Sequence, residues 1–493
     1  MNAQQAGVFR HGVASGDPLS NRVVLWTRVT VAPEQDAVTV EWLVADDPAM
    51  RRVLQRGVTS TNAGYDYTVK VDVARLDPGR TYYYQFVAQG VSSPVGRTRT
   101  LPVGSVARSR FAVVSCSNYP YGYFNAYRNI AARADLDFVT HLGDYIYEYG
   151  NGQYGDGTPL GRVPSPNKEI VTLADYRQRY AQYRTDADLQ EAHRQHPWIL
   201  VWDDHESAND AWVDGAQNHT PASEGDWNTR RAVAAQAWFE WLPVRENPFQ
   251  GGQIYRTFPV GNLMDLIMLD TRLAGRSQQV TPSSSALLDP NRSLLGDEQE
   301  AWLFQQLTTS RNRGAAWRIL GQQVMMGQVL NPDGTPFNTD QWDGYPVSRA
   351  RLLAHLSSGQ MGNVAVLTGD IHTSWGNELT VNPFVPGYTA QAVEFVCPAV
   401  TSPGIDDRAQ ATGLEMQIGG THPHVKYVEL FRRGYLLMDV TPERIQGEWY
   451  FVRTIRERSA DEELGRALFA ATGENRLRAG TASQPAVGAP AAP

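Results

Sequence analysis

The sequence predicts an α+β fold, in which a small antiparallel β-sandwich precedes a larger domain of layered strands and helices. About the first hundred residues contain short segments rich in β-branched and aromatic residues, separated by turn signals such as "DPGR". From about residue 108, short apolar strands alternate with helical stretches, which is typical of a layered domain. With 493 residues, the chain is long enough for two or three domains.

Individual elements follow from periodicity and composition. The strands predicted for the first domain are "RVVLWTRV", "AVTVEWLVA", "YDYTVKVDV" and "TYYYQFVAQG". The helices predicted for the second domain include "LADYRQRYAQYRTDADLQEAH" and "EQEAWLFQQLTTS".

The end of the chain predicts a helix followed by a flexible tail. Ser459 and Glu462 have the spacing of a capping box, which indicates a helix start. The last segment, "AGTASQPAVGAPAAP", consists of proline and small residues that cannot build a core. The predicted parts are therefore a β-sandwich domain (1–104), a layered domain (105–456), a C-terminal helix (457–478) and a flexible tail (479–493).

Charge and cysteine content exclude several classes of protein. The net charge is −8 and no run of Lys and Arg occurs, which argues against a dedicated nucleic-acid binder. The sequence also lacks an apolar run of about 18 residues, so no membrane-spanning segment is predicted. Cys116 and Cys397 are too few for a disulfide framework, and each follows an apolar run. A buried, inert thiol is expected for Cys397.

Four apolar runs of the second domain end in polar residues. "RFAVVS" leads into Cys116, "FVTHLG" into Asp144, "WILVW" into "DDHE" at 203–206, and "NVAVLTG" into Asp370 and His372. Ligand sites of layered sheets form at the carboxyl ends of strands, so we expect these four ends to build one site. Carboxylate, phenolate, imidazole and thiolate groups together favour a metal site.

Spacing within two of these motifs suggests a pair of adjacent ions. Asp370 and His372 are two residues apart, and Asp144 and Tyr147 are three apart, so one carboxylate would bridge two metals. Each motif alone has a simpler interpretation, because a Gly-Asp pair after a strand is often only a turn. We favour the metal site because three independent strands place an aspartate at the same end.

The motifs resemble a known family. "GDYIY", "DDHE" and "GDIH" resemble the dimetal phosphoesterase pattern, and segments along nearly the whole chain resemble the alkaline phosphatase D family, or PhoD-like phosphatases. These segments include "GVASGDP", "SCSNYPYGYFNAY", "LDTR", "DQWDGYP" and "HPHVKYVELFRRGY". The resemblance implies an immunoglobulin-like N-terminal sandwich and a four-layer αββα catalytic domain. It also implies metal-dependent hydrolysis of phosphate mono- or diesters by an exported protein, secreted or periplasmic, whose leader would precede this sequence.

The resemblance implies iron(III) working with calcium, and it assigns residues to each ion. The implied iron ligands are Cys116, Asp144, Tyr147 and His372. The implied calcium ligands are Asp144 as a bridge, Asp204, Asp370 and, more weakly, Asn209. His205 matches the histidine that contacts the phosphate or protonates the leaving group, and Arg272 is either a phosphate ligand or part of a structural salt bridge.

Departures from the general phosphoesterase pattern favour calcium at the second site. Asp204 replaces an asparagine and Asp370 replaces a histidine, so two neutral ligands become carboxylates, which suit hard cations. "RILGQQV" lacks the histidine of the pattern, which makes Gln322 or Gln323 a candidate weak ligand or support.

Two alternative functions stay open from the sequence. The enzyme alternative is a phosphodiesterase or phospholipase D acting on phospholipids or cell-wall polymers. The non-enzymatic alternative is a binding or adhesion protein with an inactive catalytic remnant. Tyr145, Glu148 and Tyr149 are given only a packing and supporting role.

Overall fold

A computed structural model describes residues 7–31, 36–246 and 252–493. Its strands are β1 (Val13–Gly16), β2 (Arg22–Arg28), β3 (Val38–Ala45), β4 (Val53–Thr61), β5 (Thr68–Ala74), β6 (Thr81–Ala88), β7 (Val91–Ser92), β8 (Gly96–Arg99), β9 (Ser109–Val114), β10 (Phe138–His141), β11 (Pro197–Leu200), β12 (Arg256–Val260), β13 (Met264–Met268), β14 (Trp317–Gly321), β15 (Val364–Thr368), β16 (Ser374–Leu379), β17 (Ala392–Val396), β18 (Val425–Glu429), β19 (Gly434–Thr441), β20 (Arg444–Val452), β21 (Glu462–Ala471) and β22 (Arg478–Ala479). Its α-helices are α1 (Asn125–Ala132), α2 (Leu173–Tyr183), α3 (Ala187–Gln195), α4 (Pro221–Glu224), α5 (Trp227–Trp241), α6 (Asp297–Asn312), α7 (Pro346–Ser358) and α8 (Arg408–Thr421).

Within the described ranges, two large sheets organise the chain. One has ten strands in the order β22-β21-β20-β19-β9-β10-β11-β1-β2-β5, and the other has seven in the order β12-β13-β14-β15-β17-β16-β18. Val113 and Phe138 of the first sheet share a core cluster with Leu266 and Phe395 of the second, which places apolar side chains of both sheets in one core. The fold is thus of mixed α+β type.

Helices pack against both sheets. Successive side chains of β13 point to opposite faces of its sheet. Leu266 belongs to the core shared by the two sheets, whereas Ile267 packs with Leu303 of α6 and Leu353 of α7. Helices α1, α2, α3 and α5 contribute buried residues to the core of the first sheet. Strands such as β9 and β13 lie between two layers and are buried on both faces. Their sequences are therefore nearly continuous apolar runs without alternation.

The N-terminal strands form as the sequence predicts, but they do not form a separate unit. Strands β1, β2 and β5 share a core with β3, β6 and their neighbours, which form a smaller sheet. However, β1 also pairs in parallel with β11, where Ser15 lies opposite Pro197. The ten-stranded sheet therefore continues across the predicted boundary at residue 104, through a pairing between segments far apart in the chain.

The predicted helices of the second domain are found with one change. The segment predicted as one long helix forms α2 and α3, because Asp186 caps a new helix and accepts hydrogen bonds from the backbone of Asp188 and Leu189. Helix α6 matches its prediction. In the ranges described, no helix combines the length and apolar character needed to span a bilayer.

The predicted C-terminal helix over 457–478 is wrong, because the middle of this segment forms strand β21 and no α-helix lies within it. This strand pairs antiparallel with β20, and Leu468 and Ala470 enter the main core. Ser459 and Glu462 therefore do not form a capping box; Glu462 begins the strand. Pairing with β20 and burial of these side chains outweigh the local helix propensity.

The prediction of a flexible tail over 479–493 is also wrong. The hydroxyl of Tyr83 donates to the carbonyl of Pro490 at 2.6 Å, and the backbone N–H of Ala492 donates to Oε1 of Gln195 at 3.0 Å. Polar side chains from earlier parts of the chain thus make hydrogen bonds with backbone groups of this extended segment, which contains few large apolar residues.

Candidate metal centre

The four polar strand ends meet, as the sequence predicts. Strands β9, β10 and β11 are adjacent and parallel, and β15 lies in the facing sheet. A parallel bridge between Ser115 and Ala399 connects the loop after β9 to the second sheet. The backbone N–H of Cys116 donates to the carbonyl of Gly143 at 3.1 Å, which fixes the loops after β9 and β10 together.

Four residues at this meeting point have a strained backbone conformation. Left-handed φ angles occur at Cys116 (61°), Asp144 (57°), Asp370 (61°) and His372 (62°). Such angles are uncommon for residues other than glycine and cost on the order of 1 kcal/mol or more each, so their clustering marks a functional site. Gly143 has φ 108°, and a Cβ there would lie 2.3 Å from Cβ of Asp203, so only glycine fits.

Four of the predicted ligands form one cluster. The ligand atoms of Cys116, Asp144 and His372 lie within 4.8 Å of one another. The hydroxyl of Tyr147 donates to Oδ2 of Asp144 at 2.9 Å and lies 3.2 Å from Nε2 of His372. Nδ1 of His372 lies 2.6 Å from the carbonyl oxygen of Pro403 and donates to it, which leaves Nε2 facing the cluster.

Two further groups of ligand atoms connect to this cluster, one directly through Asp144 and the other through Asp204, which the two further groups share. Ligand atoms of Asp144, Asp204 and His205 form one, and those of Asp203, Asp204 and Asp370 form the other. Asp144 is therefore common to two groups, as expected of a bridging carboxylate. Asp203 was not singled out from the sequence, although it lies in the same "DDHE" motif.

Asn209 lies on the loop that follows this motif. Its side-chain amide donates to Oε1 of Gln217 at 3.1 Å, and its backbone N–H donates to Oε1 of Glu148 at 2.8 Å. Both bonds use N–H groups and not Oδ1, the atom that would bind a cation, so Asn209 stays a candidate ligand, weaker than Asp204 or Asp370 because its amide oxygen is neutral.

The donor set fits a cation. Burial raises the pKa of the Asp144 carboxyl well above its usual value, and the nearby carboxylates of Asp204 and Glu206 add to this rise against the opposing effect of His205. Burial likewise raises the pKa of the Cys116 thiol, with Asp144 contributing.

Two carboxylate oxygens of the site lack a partner. Among the described residues, Oδ1 of Asp144 and Oδ2 of Asp203 are buried without a hydrogen-bond partner. Unpaired buried carboxylate oxygens of this kind call for a positive counter-charge.

His205 lies beside this group and is held by Glu148. Nδ1 of His205 is 2.7 Å from Oε2 of Glu148. Although burial lowers the pKa of His205, Glu148, Asp144 and Asp204 together hold it well above its usual value. The ring of Tyr147 lies against the imidazole, with centroids 4.2 Å apart. From the sequence, only a supporting role is predicted for Glu148, and its one signal is its position four residues after Asp144.

Glu206 holds two of the loops in register. Its carboxylate accepts hydrogen bonds from the backbone N–H groups of Asp144 at 3.0 Å and Asp203 at 2.8 Å. One side chain therefore joins the turn after β10 to the turn after β11.

Arg272 is fully buried among carboxylates. Its Nη1 contacts both oxygens of Asp340, at 2.8 and 2.9 Å, and its Nη2 lies 2.6 Å from Oδ1 of Asp370. It also pairs with Asp203. The amide of Gln341 donates to the other oxygen of Asp370. Of the two roles predicted for Arg272, the structural salt bridge is the one that this geometry favours, and the roles of Asp340 and Gln341 were missed.

The two candidate glutamines are engaged by protein groups. Oε1 of Gln323 accepts from the backbone N–H of Thr271 at 3.0 Å, and its Nε2 donates to the carbonyl of Trp202 at 2.8 Å. Oε1 of Gln322 accepts from Nε1 of Trp342 at 2.8 Å. Both side chains connect loops behind the site, which favours support over metal binding.

The remaining residues behave as supports. The hydroxyl of Tyr145 lies 3.0 Å from Nε2 of His193, and the ring of Tyr149 lies 5.6 Å from that of His205. Cys397 is buried, and its Sγ contacts Oγ of Ser115 at 3.3 Å.

Family models cover most of the chain. The model described as "PhoD-like phosphatase, N-terminal domain" matches residues 1–102, and the model described as "PhoD-like phosphatase" matches residues 111–449. The chain belongs to the PhoD-like phosphatase family. The resemblance drawn from the motifs is thereby confirmed.

Relatives of this PhoD-like phosphatase are similar along nearly the whole chain. "Alkaline phosphatase D" of Bacillus subtilis (strain 168) is 39% identical over 472 residues, which cover 92% of this chain and 79% of the relative. A solved structure titled "Structure of PhoD" has a TM-score of 0.88 and 36% identity, covering 97% of this chain and 93% of its own. The PhoD-like fold therefore includes both the N-terminal and the C-terminal strands.

Proposed function

We propose that the protein hydrolyses phosphate esters in a metal-dependent reaction, as its membership of the PhoD-like phosphatase family indicates. The observation that carries this proposal is the position of Asp144, which belongs to two clusters of ligand atoms at once. A buried carboxylate shared in this way is suited to bridging two cations that clamp a phosphate group.

The proposed ions are iron(III) and calcium. Thiolate, phenolate and imidazole groups suit iron, whereas additional carboxylates suit calcium. When bound, the two ions would neutralise phosphate oxygens and lower the pKa of a water molecule that attacks phosphorus in line with the leaving group. The proposed iron ligands are Cys116, Asp144, Tyr147 and His372. The proposed calcium ligands are Asp144, Asp204, Asp370 and, as the weaker candidate, Asn209.

His205 is the proposed general acid. Glu148 holds its Nδ1–H, so Nε2 is left to donate a proton to the leaving-group oxygen. The charge of Glu148 supports the protonated imidazole, and the flanking ring of Tyr147 restricts its rotation.

Arg272 has two possible contributions. Its ion pairs with Asp203, Asp340 and Asp370 support a role in holding the carboxylates of the calcium site in place. A direct contact with phosphate would require its Nη2 group to leave Asp370.

Family membership also supports finer expectations about fold and location. We expect the N-terminal strands to correspond to an immunoglobulin-like sandwich and the catalytic region to four αββα layers. We also expect the protein to be secreted or periplasmic, which localisation of the natural full-length protein would test.

The function is tested by assaying the metal-loaded protein with a phosphate monoester and a phosphate diester side by side. Turnover of either ester, lost on chelation and restored by metal, would support the proposal. A preference for the diester would support the phosphodiesterase alternative, whereas no turnover of either ester by metal-loaded protein would support the non-enzymatic binding protein.

A further inference from the structure

A cavity of about 800 Å³ adjoins the proposed metal centre. His372 and Tyr154 line it, and both also belong to the surroundings of the centre. The ring centroid of Tyr154 lies 5.6 Å from that of His205 and 6.1 Å from that of His372. The cavity and the proposed metal centre therefore share a wall, so a substrate whose phosphate is held at the centre lies next to the cavity.

The chemistry of the cavity differs sharply from that of the metal centre. Its walls are largely apolar and include Leu330, Phe337, Ile371, Trp375, Leu414 and Ile418. Within the described ranges, no Asp, Glu, Lys or Arg side chain lines it. A charged ligand group would lose its hydration in such a cavity without gaining an ion pair, whereas an uncharged, apolar group would not. The volume of the cavity is typical of small-molecule sites.

Several apolar side chains of this cavity are incompletely covered. Leu414 and Ile418, four residues apart on α8, are only partly buried, although this helix packs against β18 at the edge of the seven-stranded sheet. Phe337 is 63% exposed and Phe384 is 39% exposed. An apolar ligand group would remove these surfaces from water, which is favourable in proportion to the area buried.

We propose that this cavity binds the apolar part of the substrate, an alkyl or aryl group esterified to the phosphate. This inference rests on the proposed function, because the phosphate at the metal centre is what positions the apolar group. It assigns the choice among phosphate esters to Trp375, Leu414 and Ile418, which line the cavity and are not proposed metal ligands.

Alkylphosphonates test the proposal without requiring turnover. Methyl-, butyl- and octylphosphonate are titrated into the metal-loaded protein by calorimetry, below the concentration at which octylphosphonate forms micelles. The affinity should rise about three- to fourfold for each methylene that enters the cavity. Equal affinities for the methyl and octyl compounds would overturn the inference while leaving phosphate ester hydrolysis, measured separately with a small ester, intact.

A matched pair of variants on α8 locates the binding. Ile418→Asp places a charge in the wall and should weaken octylphosphonate binding by about tenfold or more, while methylphosphonate affinity stays within about twofold. Met416→Asp is the control, because Met416 is 70% exposed on the same helix and does not line the cavity. The inference would be contradicted if Ile418→Asp left octylphosphonate binding unchanged or weakened both phosphonates equally. The chain-length series in the unmodified protein decides the matter if Ile418→Asp does not fold.

Discussion

Nδ1 of His205 lies 2.7 Å from Oε2 of Glu148, and both side chains are buried. The other oxygen of Glu148 accepts hydrogen bonds from the backbone N–H of Asn209 and from Nδ2 of Asn218, at 2.8 and 2.9 Å. Both carboxylate oxygens are therefore fixed, so Glu148 determines the orientation of the imidazole. This relationship gives Glu148 a positioning role next to the proposed general acid.

Glu148→Gln should lower kcat by about tenfold to a hundredfold while the metal content stays unchanged. Glutamine can still accept the Nδ1–H through its one oxygen, but its NH2 group replaces the other accepting oxygen, and it lacks the charge that keeps the proton on His205. The loss should be larger for an alkyl ester than for a p-nitrophenyl ester, because the poorer leaving group depends more on protonation. Glu169→Gln is the control, since Glu169 pairs with Arg230 instead. An unchanged kcat for alkyl esters in Glu148→Gln would exclude the positioning role.

His205→Ala should cut turnover of alkyl esters by about a hundredfold or more and leave both metals bound. The proposed role is proton donation, so a p-nitrophenyl ester, whose leaving group needs little protonation, should lose less. Steady-state kinetics with both esters, together with elemental analysis, separate a lost proton donor from a lost metal. Full activity of the variant with alkyl esters would remove His205 from the mechanism.

The burial of His196, which is not a proposed site residue, predicts that the free energy of unfolding depends on pH. Burial, with a smaller contribution from Arg97, lowers the pKa of His196 to about 3. The unfolded chain binds a proton near pH 6.5 and the folded chain does not, so His196 makes the free energy of unfolding fall as the pH drops from about 6.5 towards 3. Between about pH 7 and pH 5.5, this contribution amounts to about 1.2 kcal/mol.

His196→Gln removes this contribution while keeping a donor for the carbonyl of Ile130, which lies 3.0 Å from Nε2. Urea denaturation at the two pH values should therefore show a smaller loss of stability in the variant than in the unmodified protein. Equal losses would mean that His196 is not held neutral in the folded protein.

The strand ends of the metal centre could be predicted from the sequence because each is a local pattern. An apolar run followed by Asp144 or Asp370 indicates a buried strand and a functional loop without knowledge of the rest of the chain. The sequence could not show that Glu148 contacts His205 or that Asp340 contacts Arg272, because these partners are separated by 57 and 68 residues.

The fold was predictable in class but not in the pairing of distant segments. Strand β1 joins β11 across the predicted domain boundary, and this parallel pairing has no local signal. The segment 457–478 carries helix-favouring residues, yet its middle part forms β21, which lies between β20 and the edge strand β22 of the large sheet. In both places, the structure depends on pairing with a strand that is distant or not evident in the local sequence pattern.

The most direct test of the central claim is elemental analysis of the purified protein and of its Asp144→Asn variant. We predict about one iron together with calcium in each unmodified chain, and loss of both metals in Asp144→Asn, because this carboxylate belongs to two of the three groups of ligand atoms. Asp204→Asn should lose calcium and keep iron, and Asp188→Asn, which alters a carboxylate paired with Arg128 and Arg458, should keep both. Iron at its unmodified level in Asp144→Asn would contradict the claim that Asp144 bridges two ions.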